Sequence, residues 1–186
     1  MQIIKYIILF LILFLSSSLG KILSKKYVHR LEELEEMKNS LNVFKNKIKF
    51  TYEPIPDIFE EISKTKVKNI GTIFKNAKEK MEEEIASDAW EEAVEESKNN
   101  LKEDDKNILK TLSKLLGQTD SDGQVSQIEI TEKFLDTQIK EAVEDKQKNE
   151  KLYTRLGTII GLAIVIILVW LKKDKVEIFL LKKYVR

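Results

Sequence analysis

Two apolar runs, residues 6–20 and 156–171, stand near the ends of the chain, and a long charged stretch with no comparable run lies between them. Side chains of that kind are costly to leave in water, so the pattern predicts a helix at each end lodged in a membrane and a polar-coated domain between. Neither run is long, because a crossing takes about 20 helical residues at ~1.5 Å each. Each borrows from its flanks. Ile3 and Ile4 extend the first beyond Lys5, whose ammonium reaches the headgroups along its own stem. At the second, Arg155, Lys172 and Lys173 do the same while Trp170 suits the interface. The predicted organisation is a transmembrane helix over 3–20, a soluble domain over 21–155, a transmembrane helix over 156–171 and a basic tail over 172–186.

The front run also has the grammar of a cleaved secretory signal, with Lys5, a short apolar core and the small residues Ser16, Ser17, Ser18 and Gly20. Against that reading stand Lys21, Lys25, Lys26 and Arg30, since basic residues beside a span favour the cytoplasmic side. They place the middle of the chain in the cytoplasm. Basic residues on both sides of the second span make the rule less decisive there.

Within the middle, apolar positions recur at helical steps. Leu31, Leu34, Met37, Leu41, Phe44 and Ile48 form one stripe along a helix that continues from the first span, with Glu32, Glu33, Glu35 and Glu36 between them as its wet face. Both prolines of the chain, Pro54 and Pro56, then form a structural turn, because neither can donate to a helical ladder. A short helix is predicted over 57–64 with Ile58, Phe59 and Ile62 on one face, and another over 69–81 carrying Ile70, Ile73, Phe74, Ala77 and Met81. Asp88 with Glu91 three residues on matches a capping box and predicts a helix starting at Asp88, its Trp90, Ala93 and Val94 turned inward. A fifth, over 105–116, buries Ile108, Leu109, Leu112, Leu115 and Leu116 and stops at Gly117. From Val125 the stripe resumes through Ile128, Leu135, Ile139, Ala142, Val143, Tyr153 and Leu156, and no proline interrupts it before the second run. Phe59, Phe74, Trp90 and Leu112 are the expected core. The fold class is all-α, a compact bundle of about six helices flanked by the two membrane helices.

Composition narrows the chemistry. Net charge is +1, and the middle taken alone is mildly acidic, without the basic, aromatic-interleaved stripe of a nucleic-acid binder. There is no cysteine and a single histidine, His29, too little for a thiolate site, a histidine metal site or a histidine-based triad. The segment 117–124 has oxygen-bearing side chains but lacks calcium-loop register. With Asp120 first, Val125 falls where glycine is needed and Thr131 where a bidentate carboxylate is needed. A helix stop at Gly117 and a new N-cap at Thr119 or Asp120 account for those residues. No phosphate-cradling glycine pattern is present. The expectation is a chain without catalytic residues, cofactor or metal. Gly157 and Gly161, four apart, allow close helix–helix packing in the membrane, with the first span or, as a homo-oligomer, with another copy.

Several stretches, in order, resemble one family. Tyr52-Glu-Pro54-Ile-Pro56 with the helix after it, Ser87-Asp-Ala89-Trp90-Glu-Glu-Ala93, Leu116-Gly117-Gln-Thr-Asp120 with Gln124, and Tyr153-Thr-Arg-Leu156-Gly157 with Gly161 look like the stage III sporulation protein AB family of endospore-forming bacteria. The resemblance implies a non-enzymatic membrane component of the channel built between mother cell and forespore, in the mother-cell-derived membrane. Its helical domain is expected to be similar to that of the platform protein F of type II secretion. The partners it implies are other stage III sporulation proteins, including a cytoplasmic secretion-type ATPase, besides the lipid bilayer. Glu82–Glu84 and Glu91, Glu92, Glu95 and Glu96 are the candidate partner surface. One departure is the tail, since the family usually ends soon after its second span; here Val176, Ile178, Phe179, Leu180 and Leu181 among lysines suit an amphipathic segment on the membrane surface. The rival reading is a membrane-tethered coiled-coil adaptor or chaperone-like protein, kept open by the heptad-like spacing of the first stripe.

Overall fold

The computed structural model describes residues 2–65 and 69–184, with side chains for residues 4, 6–65 and 69–170. Among the described residues the chain is all-α, in six α-helices: α1 (Gln2–Phe50), α2 (Ile55–Thr65), α3 (Asn69–Lys80), α4 (Ala86–Glu96), α5 (Glu103–Lys110) and α6 (Ser121–Tyr184), with a 3-10 turn over Thr111–Leu115 after α5. The chain divides into two compact units, Tyr27–Asp145 and the paired ends Met1–Lys26 and Lys146–Arg186. Helices α1 and α6 each contribute to both. The expected amphipathic face of the tail concerns side chains outside those described.

In the Tyr27–Asp145 unit the stripe of α1 is the spine of the core: Leu34, Met37, Leu41 and Phe44 are fully buried, as are Ile58, Phe59 and Ile62 of α2 and Ile70, Ile73 and Phe74 of α3. Four helices each give one ring to a central cluster. Phe44, Phe59 and Phe74 meet edge-on at 5.1 Å between successive centroids, and Trp90 closes the group at 5.5 Å from Phe59 and 5.2 Å from Phe74. Such offset aromatic contacts add about 0.5–1.5 kcal/mol each to the effect of burial. The indole Nε1 of Trp90 donates to the carbonyl of Leu109 at 2.8 Å, so the one polar atom of the cluster is satisfied and α5 is tied to it. Leu112 is buried beside Leu109 and Leu116 in the same core.

Turn chemistry fixes the entries and exits. The carbonyl of Lys47 accepts from the backbone N–H of Thr51 at 2.9 Å and of Tyr52 at 3.1 Å, and Tyr52 takes a left-handed φ of 53° as α1 stops. Pro54 lies just ahead of α2 and its carbonyl accepts from Asp57 and Ile58, while Pro56 sits in the first turn, where a missing N–H costs nothing. Gly117 has φ +71°, and a Cβ there would stand 3.3 Å from the Cβ of Ala86. The Asp120 carboxylate accepts from the Gly123 N–H at 2.9 Å, which makes Asp120 the N-cap of α6.

Four local expectations are corrected. Leu156, expected on the apolar stripe that resumes at Val125, is 39% exposed. Helix α4 begins at Ala86, two residues before Asp88, with Ile85 as an N-cap that offers no side-chain bond. Ser87 and Ala89 are both buried, so packing of the first turn, and not a capping box, sets the start. The fifth helix ends at Lys110 and tightens into the 3-10 turn, in which Leu115 is exposed. Glu33, assigned to the wet face of α1, is only 6% exposed.

Candidate functional site

Arg30 and Glu33, one turn apart on α1, face into the bundle. The Arg30 guanidinium is 3% exposed and meets the fully buried Asp105 of α5 in a bidentate pair, Nε to Oδ2 at 2.8 Å and Nη2 to Oδ1 at 2.9 Å. Its Nη1 reaches Asp145 of α6 at 3.0 Å and its Nη2 the Gln138 amide oxygen at 3.1 Å. Burial pulls the Arg30 pKa down, but the bond to Asp105 and the charges of Asp105, Glu141 and Asp145 outweigh it and hold it above its ordinary value. Lys102 donates its backbone N–H to Asp105 at 2.8 Å, and its ammonium meets Glu141 at 2.6 Å and Asp145 at 2.8 Å. Those two bonds, Asp145 first, raise the Lys102 pKa.

Glu33 holds the loop between α4 and α5. Its carboxylate accepts from the Asn100 N–H at 2.7 Å, the Asn100 amide at 2.8 Å and the Asn69 amide of α3 at 2.5 Å. Together Arg30 and Glu33 pin α3, α5, α6 and one loop to α1. Every group there is satisfied, the condition under which buried charge specifies a single packing arrangement.

The candidate partner carboxylates lie elsewhere and are mostly engaged. Lys80 bridges Glu92 at 2.6 Å and Glu96 at 3.3 Å. Lys110 pairs with Glu95, lowering the pKa of that carboxylate and raising that of Lys110. Glu91 accepts from the Ser113 hydroxyl at 3.4 Å. Glu82 faces Lys78 at 3.4 Å. Among the described residues no three His, Asp or Glu side chains converge as a metal-binding group.

In the unit of the paired ends, α1 and α6 cross at small residues. A Cβ at Gly157 would stand 2.7 Å from the Ser16 carbonyl and 2.9 Å from the Gly20 Cα, and one at Gly20 would stand 2.5 Å from the Tyr153 carbonyl. A Cβ at Gly161 would meet the Cβ of Ser16 at 3.0 Å. Ser16 Oγ donates to the Gly157 carbonyl at 2.6 Å across the crossing. The glycine face of the second run is therefore covered by the first run of the same chain. Outside this seam Phe10, Phe14, Leu19, Ile160, Ile166 and Trp170 are exposed. Each long helix has an apolar 18-residue window of mean hydropathy 2.2, long enough to cross a membrane, of which only 11% is buried. A core helix of a water-soluble protein would be mostly buried.

These features define an all-helical protein with one bundle unit and one unit of two paired apolar helices of membrane-crossing length. The family model for stage III sporulation protein AB matches residues 5–169, and the chain belongs to that family. It is 23% identical over 150 residues to the stage III sporulation protein AB of Bacillus subtilis (strain 168), covering 78% of this chain and 88% of that protein. A solved structure of a stage III sporulation protein AB matches with a TM-score of 0.59 at 18% identity, over 64% of this chain and 98% of that one, a likeness of fold.

Proposed function

We propose that this protein is a membrane-anchored structural component of the channel apparatus between mother cell and forespore, with its bundle in the mother-cell cytoplasm as a docking platform for a secretion-type ATPase and other stage III proteins. The observation that carries this reading is the family match over residues 5–169 on a chain whose two apolar runs bracket a closed helical core. Polar chemistry in the bundle is spent on holding helices together, as the Arg30–Asp105 and Glu33–Asn100 bonds illustrate, which suits a scaffold. The rival coiled-coil adaptor would need the α1 stripe free for a partner, yet Leu34, Met37, Leu41 and Phe44 are fully buried within one chain.

The test is crosslinking and affinity recovery of the tagged full-length protein from sporulating cells. Recovery of a secretion-type ATPase with other stage III proteins is the expected result. A catch from the membrane fraction without either would overturn the role while leaving the fold untouched.

A further inference from the structure

Exposed cations crowd the polar ends of the two apolar runs. Lys21 and Lys25 are four apart on α1, and Lys148, Lys151 and Arg155 are three and four apart on α6, so each set forms one stripe along its helix; all five are exposed. None of them enters an ion pair among the described residues, whereas Lys38, Lys45, Lys47, Lys80, Lys102 and Lys110 of the bundle unit all do. On α6 the stripe also points away from the helix crossing. Arg155 is two residues from the buried Gly157, which places it on the opposite side of α6 from the seam. Between the cations lie exposed aliphatics, Ile22 at 61%, Leu23 at 53% and Leu152 at 46%, and Leu156 at 39% follows directly after Arg155.

Outward cations without partners, interleaved with outward aliphatics at the edge of an apolar window, match one chemistry: anionic phosphates above acyl chains. We propose that Lys21, Lys25, Lys148, Lys151 and Arg155 form a collar that binds the headgroups of anionic phospholipids. This inference rests on the reading of the two apolar runs as membrane spans. The aliphatics enter the acyl boundary, the ammonium and guanidinium groups turn back to the phosphates, and the charge left unpaired within the protein is neutralised by lipid. The collar thereby gives the protein a preference for anionic over zwitterionic bilayer.

The full-length protein is reconstituted in vesicles of equal parts phosphatidylcholine and phosphatidylglycerol, with trace spin-labelled phosphatidylglycerol or phosphatidylcholine, and the motionally restricted lipid is measured by electron spin resonance. The expected result is a preference for phosphatidylglycerol of at least about five-fold, the contribution of one such charge at an anionic surface. It should fall toward unity in 1 M NaCl, where screening acts over about 3 Å, and in the variant K21Q/K25Q/K148Q/K151Q/R155Q. A companion variant, K172Q/K173Q/K175Q/K182Q/K183Q, should keep most of the preference. Equal restriction of both lipids, or a preference abolished only by the tail variant, would overturn the collar. Absence of any restricted lipid would overturn the membrane reading itself, and the collar with it. Unchanged near-ultraviolet circular dichroism shows that the variants are folded.

Discussion

Arg30 and Asp105, 75 positions apart in sequence, share two parallel hydrogen bonds of 2.8 and 2.9 Å in a place water does not reach. Removing one partner strands a buried charge, which costs about 3–5 kcal/mol, whereas removing both strands none from this pair. Asp105→Ala and Arg30→Met should each lower the unfolding midpoint of the detergent-solubilised protein sharply. The double variant should be far more stable than the sum of the single losses implies. A strictly additive cycle in chemical denaturation would contradict the coupling.

Trp90 joins the aromatic cluster to α5 through Leu109. Trp90→Phe keeps most of the apolar contact but leaves that buried carbonyl short of its donor, a loss of about 1–3 kcal/mol. Trp90→Ala should cost about 3–5 kcal/mol. Thermal melts of the two variants should therefore be ordered phenylalanine above alanine, both below the wild type.

Tyr52 is 75% exposed and carries a left-handed φ of 53°, a conformation glycine adopts without a Cβ penalty. Tyr52→Gly should leave stability unchanged or raise it by up to about 1 kcal/mol, in contrast to the usual destabilising effect of glycine. A melting temperature several degrees lower would contradict the assigned turn.

Ser17 Oγ and Thr158 Oγ1 lie 3.4 Å apart across the crossing of α1 and α6. In this cysteine-free chain, Ser17→Cys with Thr158→Cys should form an intramolecular disulfide on mild oxidation in membranes, read as a mobility shift of the monomer band. Adding Gly157→Leu, whose side chain would collide with the Ser16 carbonyl, should suppress it. A ladder of disulfide-linked dimers instead would move the glycine seam to an interface between copies.

The carboxyl groups of Glu53, Glu60 and Glu95 are held below their ordinary value near 4.5, through hydrogen bonds to Lys47, Lys64 and Lys110 respectively. A carboxyl group depressed in the fold contributes stability that is present above its unfolded value and lost as pH falls through the folded one. The denaturation midpoint should decline below about pH 5. The triple glutamine variant at these positions should show a shallower decline over the same window. Glu60 and Glu95 are exposed and the Lys47–Glu53 pair is half-buried, so the slope should flatten in high salt mainly through the first two.

The period of the α1 stripe was readable because burial of Leu34, Met37, Leu41 and Phe44 follows directly from helical spacing. Gly117 and Asp120 were readable because the left-handed stop and the N-cap are local acts of the backbone. Arg30 and Glu33 were not. Their partners are distant in sequence, and Arg30 passes as one more flanking cation beside a span. A signal was nonetheless present: Arg30 is four residues before Leu34 and Glu33 four before Met37, in register with the buried stripe. A charged residue that keeps an apolar period is a candidate for a buried pair. Because Arg30 is spent inside the bundle, it drops out of the charge count that orients the first span, which leaves Lys21, Lys25 and Lys26 to carry that argument.

The chain contains two tryptophans. Trp90 touches rings from α2 and α3 and donates to α5, while Trp170 is 62% exposed in an apolar window. Replacing Trp170 with phenylalanine would leave a single indole emitter at the meeting point of the bundle, whose emission colour would report loss of that core without any attached dye.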